Sequence, residues 1–532
     1  MTLEGLLASL RDPACFPHWP DEVQIVQTHL SVVCLAGDRV YKLKKAVLLP
    51  FADFSTLRAR RSMCREEVRL NRRLCPDTYL GTASLRRGTA GLRFAELGDD
   101  DGPDDIDVAV VMQRLPGERM LDVLVRDGHA KRSEIEQLAR HMAAFHTGTE
   151  RGPHVLAAGD PDRLVAFAAA NFTELRAMQD HGLPAPLLER LAAASAADFA
   201  RILPALRRRA AAGFVVDGHG DLHARNICMT DPPAVYDCIE FEPAFRCGDV
   251  ATENAFLAMD LRHRGAPDLA AAYVRAYVEA SGDREMESLL PVLCCYRAMV
   301  RAKVATLAAA VPELLPSDRA GARGSAMRHL LLGSAFAIET RGPWWVVVCG
   351  PPASGKSRLC TTLAGVAHWP HFQTDVVRKE LAGLSPDQHA GAEHYTAEFS
   401  RRTYAELFAR ASACTRAGAP VVLLDGNFPT PAHRADALAG ATSLGARLAI
   451  AFVDVDAATA ALRAARRQQE PANVSDAGPE QVAALRARFV PPPTVAGSVP
   501  LDGTRPDLVL AADLMTGVLA NDRGVGDVGP LP

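Results

Sequence analysis

A short glycine-containing loop constrains the fold of this chain more than any other feature. It reads Gly-Pro-Pro-Ala-Ser-Gly-Lys-Ser from Gly350 to Ser357, directly after the apolar run Trp344–Cys349, which is typical of a buried strand. Gly350 and Gly355 let successive backbone N–H groups converge on phosphate oxygens at the N-terminus of a following helix. In such a loop Lys356 reaches the outer phosphates and Ser357 holds a metal ion. The pattern therefore predicts a strand, a phosphate-binding loop and a helix, with ATP and Mg²⁺ as ligands.

The sequence around this loop alternates between strand and helix patterns. Apolar runs typical of strands occur at 344–349, 420–424, 447–453 and 507–511. This alternation predicts an α/β unit with a parallel sheet and helices on both faces. Ligands of such units bind at the carboxyl ends of the strands.

Two acidic residues lie where those strand ends are expected. Asp375 follows a short strand, and its segment resembles the Asp-x-x-Arg element of small-molecule and polynucleotide kinases with phosphate-binding loops. That resemblance implies that Asp375 activates the acceptor hydroxyl and that Arg378 binds substrate or phosphate. Asp425 ends an apolar strand and is a candidate for steadying Mg²⁺ or contacting the acceptor. The structural alternatives are a helix N-cap for Asp375 and a turn for Asp425.

A pair of arginines is a further candidate in this half. Arg463 and Arg467 are four residues apart on an alanine-rich helix, so they face the same side and could close over the transferring phosphate. A solvated basic helix face is the alternative.

A second signature lies upstream, in the segment from His219 to Asn226. In kinase chemistry an aspartate accepts the proton of the attacking hydroxyl, while an asparagine five residues on and an aspartate on a following strand hold Mg²⁺. Asp221, Asn226 and Asp237 have that order and spacing, and Glu240 is an alternative to Asp237. The segment resembles the catalytic loop of the aminoglycoside phosphotransferase-like kinases, which implies those roles.

Such a kinase also needs a smaller lobe with a strand lysine and a helix glutamate. A hairpin around Gly37 places Lys42 and Lys44 on one face of its second strand. Lys42 is the first choice for binding phosphate, and Lys44 is the alternative. The next helix carries Glu67, which lies seven residues before Leu74, as in the resembling family. A solvated lysine–glutamate pair is the competing interpretation.

Composition narrows the classes of partner and location. The formal net charge of −4 over 532 residues gives no basic field for nucleic acid or anionic membrane, and no long uncharged apolar run occurs. The 12 cysteines show no metal-ligand spacing with one another or with histidine and are expected to be reduced core residues. We expect a cytoplasmic protein without a nucleic-acid or membrane partner.

The order of the two signatures resembles a bacterial family that joins an aminoglycoside phosphotransferase-like half to an AAA-type, gluconate-kinase-like half. The resemblance implies a bilobal protein-kinase-like α+β domain followed by a P-loop α/β domain. The prolines and glycines between Pro312 and Gly324 mark a boundary, so we expect the first domain at 1–310, a linker at 311–340 and the second domain at 341–515. The Gly/Asp/Pro-rich end at 516–532 is expected to be a flexible tail. The expected function is ATP- and Mg²⁺-dependent phosphorylation of small hydroxylated acceptors. Alternatively, one half is a regulatory nucleotide sensor or ATPase, or the target is a macromolecule.

Overall fold

The computed structural model describes residues 2–28, 30–49, 52–88, 91–178, 181–311, 314–385, 388–467, 479–493 and 498–521. Two compact units divide the chain. The first comprises Met1–Ala166 and Ile202–Leu290, and the second comprises Phe167–Arg201 and Pro291–Pro532. The domain boundaries inferred from the sequence, at 310 and 340, stay predictions.

The first unit begins with a six-stranded antiparallel sheet in the order β1-β2-β3-β8-β6-β7. Its elements, with a small two-stranded ribbon, are α1 Leu3–Leu10, β1 Val23–Gln27, β2 Ser31–Ala36, β3 Arg39–Lys44, β4 Leu48–Leu49, β5 Ala52–Asp53, α2 Leu57–Asn71, β6 Tyr79–Gly88, β7 Gly91–Phe94 and β8 Asp105–Gln113.

The predicted hairpin is confirmed as β2 and β3, which pair from Ser31 opposite Lys44 to Ala36 opposite Arg39. Gly37 occupies the turn with φ +61°, a left-handed conformation that glycine adopts without strain. The helix α2 packs against β8 and β6, with Cys64 and Val68 buried against the sheet. This packing brings Glu67 of α2 to the lysines of β3.

The chain then continues through short strands and ten α-helices among the described residues. These are α3 Leu121–Arg126, α4 Arg132–Gly148, α5 Pro153–Ala158, α6 Pro161–Ala177, α7 Ala185–Ala211, β9 Val215–Asp217, β10 Ile227–Cys228, β11 Ala234–Val235, α8 Pro243–Arg246, β12 Cys247–Asp249, α9 Val250–His263, α10 Pro267–Ser281, α11 Met286–Ala309 and α12 Pro316–Glu339.

A buried ion cluster anchors the start of α9. Asp249 caps this helix by accepting a hydrogen bond from the Ala251 N–H. Its carboxylate also accepts two hydrogen bonds from the Arg209 guanidinium, at 2.8 and 2.9 Å. The same guanidinium donates to Asp283 at 2.6 and 2.7 Å, and it is only 1% exposed. Burial alone would lower the pKa of Arg209, but the two carboxylates outweigh it and raise the pKa.

The second unit contains a five-stranded parallel sheet in the order β14-β15-β13-β16-β17. Its elements are β13 Trp344–Cys349, α13 Lys356–Ala367, β14 His371–Gln373, α14 Thr374–Leu381, α15 Ala397–Arg416, β15 Val421–Asp425, α16 Pro431–Thr442, β16 Arg447–Asp454, α17 Ala457–Arg467, α18 Pro479–Ala487, β17 Ser498–Asp502 and α19 Asp507–Ala520.

The predicted parallel sheet is confirmed, and three of the four predicted strands are β13, β15 and β16. The prediction of a strand at 507–511 is wrong, because that run is the first part of α19. A short apolar run does not distinguish a strand from a buried helix, and here the apolar pattern continues to Leu519. The fifth strand is β17 instead, where the buried Val499 and Leu501 alternate with residues that are more accessible.

Two segments at the predicted boundaries have regular structure. Residues 311–340 consist largely of α12, whose later half is buried. The segment assigned to a flexible tail begins inside α19, and its residues 522–532 lie outside the described part of the chain. Among the described residues, no helix combines the length and the apolar character needed to cross a membrane.

Candidate functional sites

In the first unit, Lys42 lies between two carboxylates. Its Nζ is 2.8 Å from Glu67 Oε1 and 2.5 Å from Asp237 Oδ1. Because Glu67 projects from α2 and Asp237 follows β11, one lysine joins three segments of the chain that are distant in sequence. Burial alone would lower the pKa of Lys42, but the two carboxylates outweigh it and raise the pKa well above its usual value. The amine is therefore held as an ammonium ion.

Lys44 forms a second, deeper pair. Its Nζ is 2.6 Å from Glu67 Oε2 and also contacts Glu240 Oε1. Glu67 is fully buried, and it receives one ammonium group on each carboxylate oxygen. Burial alone would raise the pKa of Glu67, but the two lysines outweigh it and lower the pKa. Burial dominates at Glu240 and raises its pKa.

Side-chain exposure distinguishes the two acidic residues that are candidates for binding the metal ion. The Asp237 side chain is 43% exposed, whereas that of Glu240 is 7% exposed. Asp237 also adopts φ +64°, a conformation that costs a non-glycine residue about 1–3 kcal/mol and is common at functional sites. These features favour Asp237 for an accessible metal ion and Glu240 for a structural ion pair.

The Asp221 segment is held by its neighbours. Asn226 Nδ2 donates to Asp221 Oδ2 at 3.0 Å and to the Asp221 carbonyl at 3.1 Å. The fully buried His219 accepts from the Asp221 N–H at Nδ1 and contacts the Tyr236 carbonyl at 2.9 Å through Nε2. These bonds tie the loop to the residue that precedes Asp237. The fold thus brings Asp221 and Asn226 together, and it brings Lys42, Glu67 and Asp237 together.

In the second unit, the loop after β13 has the backbone of an anion cradle. Gly350 has φ +148°, and a Cβ added there would lie 2.1 Å from the Val453 carbonyl oxygen. Gly355 has φ +107° and directly precedes α13. Lys356 begins that helix, and its Nζ donates to the Pro351 carbonyl at 2.8 Å. The amine therefore lies over the loop whose N–H groups are suited to phosphate.

A cavity of 440 Å³ opens at the carboxyl ends of the central strands. That volume is suited to a small-molecule ligand. Its lining residues are Pro352, Ala353, Lys356, Ser357, Gln373, Thr374, Asp375, Ala390, Ala392, Tyr395, Asp425, Gly426, Asn427, Gln481, Ala484 and Leu485. Phosphate-loop residues and the predicted acids Asp375 and Asp425 thus share one cavity.

Arg378 does not line that cavity. Its guanidinium donates to the His394 carbonyl at 2.7 Å and lies 4.6 Å from the ring of Tyr395. The arginine is 7% exposed, and Tyr395 is the residue that reaches the cavity. Arg378 thus contacts a residue of the cavity wall, and its predicted role in binding substrate or phosphate stays a prediction.

Asp425 and Ser357 both line the cavity, and Gln373 relates them because it contacts Ser357 and pairs with Asp425 across β14 and β15. Ser357 Oγ accepts from Gln373 Nε2 at 3.1 Å. Asp425 is 1% exposed, and its Oδ2 is buried without a hydrogen-bond partner. A hydroxyl and an incompletely paired carboxylate are oxygen donors of the kind Mg²⁺ prefers, so these residues fit that ion.

Arg463 contacts the phosphate loop from α17. Its guanidinium donates to the Ser354 carbonyl at 3.2 Å and to the Gly503 carbonyl at 2.9 Å. Arg467 lies at the end of the same helix, and its side chain is outside the described part of the structure. Arg463 is thus placed against the loop backbone.

Sequence reasoning missed several residues that the fold places in the cavity. Gln373 and Asn427 each lie two residues from a predicted acid, and Tyr395 comes from the connection before α15. The strand-end position could have indicated Gln373 and Asn427. Nothing in the local pattern marks Tyr395, because its place depends on the packing of Arg378.

Together these observations define the class of protein. A bilobal unit with a lysine–glutamate pair and an Asp221–Asn226 loop is combined with a P-loop unit whose cavity contains acids. The chain is a kinase-like phosphotransferase with two different kinase-type folds.

Comparison with protein families agrees with both assignments. Residues 89–289 match the phosphotransferase enzyme family, and residues 346–492 match the AAA domain family. Uncharacterized proteins of Mycobacterium tuberculosis and Mycobacterium bovis are 30% identical to this chain over 472 residues, which is 88% of this chain and 90% of each relative. The chain therefore belongs to their family, in which an aminoglycoside phosphotransferase-like unit precedes an AAA-type P-loop unit.

Solved kinase structures are similar to parts of this chain. A gluconokinase from Sinorhizobium meliloti is 17% identical and covers 34% of this chain and 93% of its own, with a TM-score of 0.26. A choline/ethanolamine kinase family protein from Mesorhizobium loti is 13% identical and covers 61% of this chain and 93% of its own, with a TM-score of 0.36. The fold assignment rests on the sheet topologies and the two family matches, since these scores are low.

Proposed function

We propose that this chain is an ATP- and Mg²⁺-dependent phosphotransferase with two nucleotide-binding halves, each of which phosphorylates a small hydroxylated acceptor. The observation that carries the proposal is the 440 Å³ cavity in which Lys356 and Ser357 lie with Asp375 and Asp425. A phosphate-binding loop and a carboxylate that can accept a hydroxyl proton are the two requirements for phosphoryl transfer to an alcohol.

In the C-terminal half, the loop N–H groups and Lys356 bind the triphosphate, and Arg463 supports that loop. Ser357 and Asp425 would hold Mg²⁺, which neutralises phosphate charge during transfer. Asp375 accepts the proton of the acceptor hydroxyl. Asn427 and Tyr395 supply hydrogen-bonding groups in the same cavity, which supports a small polyhydroxylated acceptor.

In the N-terminal half, Lys42 binds phosphate and Glu67 orients it. Asn226 and Asp237 offer the oxygen atoms that Mg²⁺ prefers, and the lysine cluster contains one carboxylate more than it has ammonium groups. Asp221 takes the hydroxyl proton and is oriented by the amide of Asn226. A cytoplasmic location fits this chemistry, and the twelve free cysteines agree with a reducing compartment.

The test is ATP consumption by the full-length protein with a panel of sugars, aminoglycosides, nucleosides and amino alcohols. Asp221→Asn and Lys356→Met disable the two halves separately, and Asp268→Asn and Arg358→Met are the matched controls at exposed positions of the same units. We expect each active-site variant to abolish one set of phosphorylated products and each control to retain both. Products that persist in both active-site variants would refute the mechanism.

The same experiment tests the regulatory alternative. If one half is a nucleotide sensor, its variant removes no product class but changes the rate of the other half. The protein could also hydrolyse ATP without an acceptor. If Lys356→Met abolishes that hydrolysis and Asp221→Asn does not, the C-terminal half is an ATPase. If the protein transfers phosphate to macromolecules of a cell extract and to no small molecule, the target is a macromolecule and the small-molecule assignment is wrong.

A further inference from the structure

Three potential metal ligands converge where α13 packs on β14 and β15. They are Cys360 on α13, His371 at the start of β14 and Asp425 at the end of β15, and their ligand atoms all lie within 4.8 Å of one another. Neither the cysteine nor the histidine belongs to the machinery proposed for phosphate transfer. Their spacing in the sequence, 11 and 54 residues, resembles no compact metal motif.

The fold itself explains why the three residues meet. In the parallel pairing of β14 with β15, His371 lies opposite Leu423 and Gln373 lies opposite Asp425. Residues two apart on a strand point to the same face, so His371 and Asp425 project on one side of the sheet. The helix α13 packs on both strands and contributes Cys360, which is fully buried.

Two of the three donor atoms lack an ordinary partner. His371 Nε2 and Asp425 Oδ2 are both buried without a hydrogen bond, and they lie 3.4 Å apart. That separation exceeds the usual range of about 2.7–3.2 Å for an N–H···O bond. It equals the edge of about 3.4 Å expected between two ligands of a tetrahedral ion with bonds of about 2.0–2.1 Å. Burying such atoms unpaired is destabilising, and a cation shared by both would offset that cost.

The donor set selects the kind of ion. A thiolate, an imidazole and a carboxylate suit Zn²⁺ and related transition metals, whereas Mg²⁺ prefers oxygen atoms alone. We infer that Cys360, His371 and Asp425 form a binding site for a thiophilic divalent cation such as Zn²⁺. Binding replaces the thiol proton of Cys360, which passes to solvent.

The site lies next to the nucleotide machinery without depending on it. The His371 side chain is 19% exposed, which gives an ion a path from solvent, and three protein ligands leave a fourth position open. Asp425 also lines the cavity, so a bound Zn²⁺ withdraws from Mg²⁺ the carboxylate assigned to it above. That inhibitory consequence rests on the proposed function, whereas the metal site does not.

The test measures metal binding in the absence of ATP. The full-length protein is dialysed against Zn²⁺ and its metal content is determined, and Co²⁺ is titrated to detect a thiolate-to-cobalt charge-transfer band. Cys360→Ala and His371→Ala remove ligands, and Asp425→Asn changes one with little change of shape. Cys414→Ala and His433→Ala are controls, since both replaced side chains are partly buried in the same unit outside the cluster.

We expect one equivalent of tightly bound Zn²⁺ and a cobalt–thiolate band in the wild type. Both should be lost in the ligand variants and kept in the controls. The inference is overturned if the wild type shows no cobalt–thiolate band. It is also overturned if Cys360→Ala and Asp425→Asn bind as much zinc as the wild type. Because no nucleotide is present, neither result depends on whether the chain transfers phosphate.

Discussion

Replacing Glu67 with glutamine should destabilise the first unit strongly. The carboxylate is fully buried, and each of its oxygens accepts a hydrogen bond from a lysine ammonium group. The distances are 2.8 Å to Lys42 and 2.6 Å to Lys44. Glutamine keeps one acceptor oxygen but turns an NH₂ group toward the other ammonium. Removing one partner of a buried ion pair typically costs about 3–5 kcal/mol. Each lysine retains a second carboxylate, so we expect the lower end, about 3 kcal/mol.

The assay is hydrogen exchange of the full-length protein, read by mass spectrometry on peptides from α2 and β3. A loss of about 3 kcal/mol corresponds to roughly 160-fold faster exchange for amides that exchange through a rapid opening pre-equilibrium. Peptides from β13 and β15 report on the second unit and serve as an internal reference. The matched control is Glu66→Gln, because Glu66 is the preceding residue on the same helix and pairs with the exposed Arg69. A surface pair of that kind contributes about 0–1 kcal/mol.

The effect should also depend on pH in one direction. The lysines hold the pKa of Glu67 below its usual value despite burial, so the stabilisation is present above the unfolded-state pKa of about 4.3. It is lost as the pH falls through the lower pKa of the folded state. The difference between wild type and Glu67→Gln should therefore shrink progressively below about pH 4.3. Equal exchange in Glu67→Gln and Glu66→Gln at pH 7 would refute the reasoning.

Further predictions concern a loop and a buried ion cluster. Gly350→Ala should abolish ATP binding by the C-terminal half in calorimetric titration, because the new Cβ lies 2.1 Å from a carbonyl oxygen of β16, whereas Gly365→Ala on the open face of α13 should bind normally. Normal binding by Gly350→Ala would contradict the cradle geometry. Arg209→Met leaves two buried carboxylates without their shared cation and should destabilise the first unit by about 3–5 kcal/mol in hydrogen exchange. Arg208→Met, at an exposed neighbouring position, should change it by less than about 1 kcal/mol, and equal effects of the two variants would refute the assignment.

Local patterns were sufficient for the elements whose signals lie within a short stretch. The hairpin at Gly37 and the P-loop at Gly350 were both predicted in place, because a turn or loop of this kind requires glycine at a fixed position. The prediction of a strand at 507–511 was wrong because no residue at a fixed position distinguishes a strand from a helix there. A short apolar run satisfies both strand and helix patterns, and only pairing with β16 selects Ser498–Asp502 as the fifth strand.

The candidate lysines show a second limit of the sequence. It offered Lys42 and Lys44 as alternatives for one role, yet the fold gives each a separate partner, Asp237 for one and Glu240 for the other, with Glu67 between them. The two lysines are two residues apart on a strand, so their shared face could be predicted. Which acid meets which lysine depends on residues almost two hundred positions away.

The sequence alone determined the two kinase-type units, their order and most of the candidate acids, since these depend on turn chemistry, strand ends and short spacings. Only the tertiary structure decided which strands pair and which distant side chains meet. Cys360, His371 and Asp425 illustrate the difference, because their spacing predicts no cluster. Strand pairing and helix packing bring them within 4.8 Å of one another. Such contacts follow from long-range packing, which local sequence periodicity does not encode.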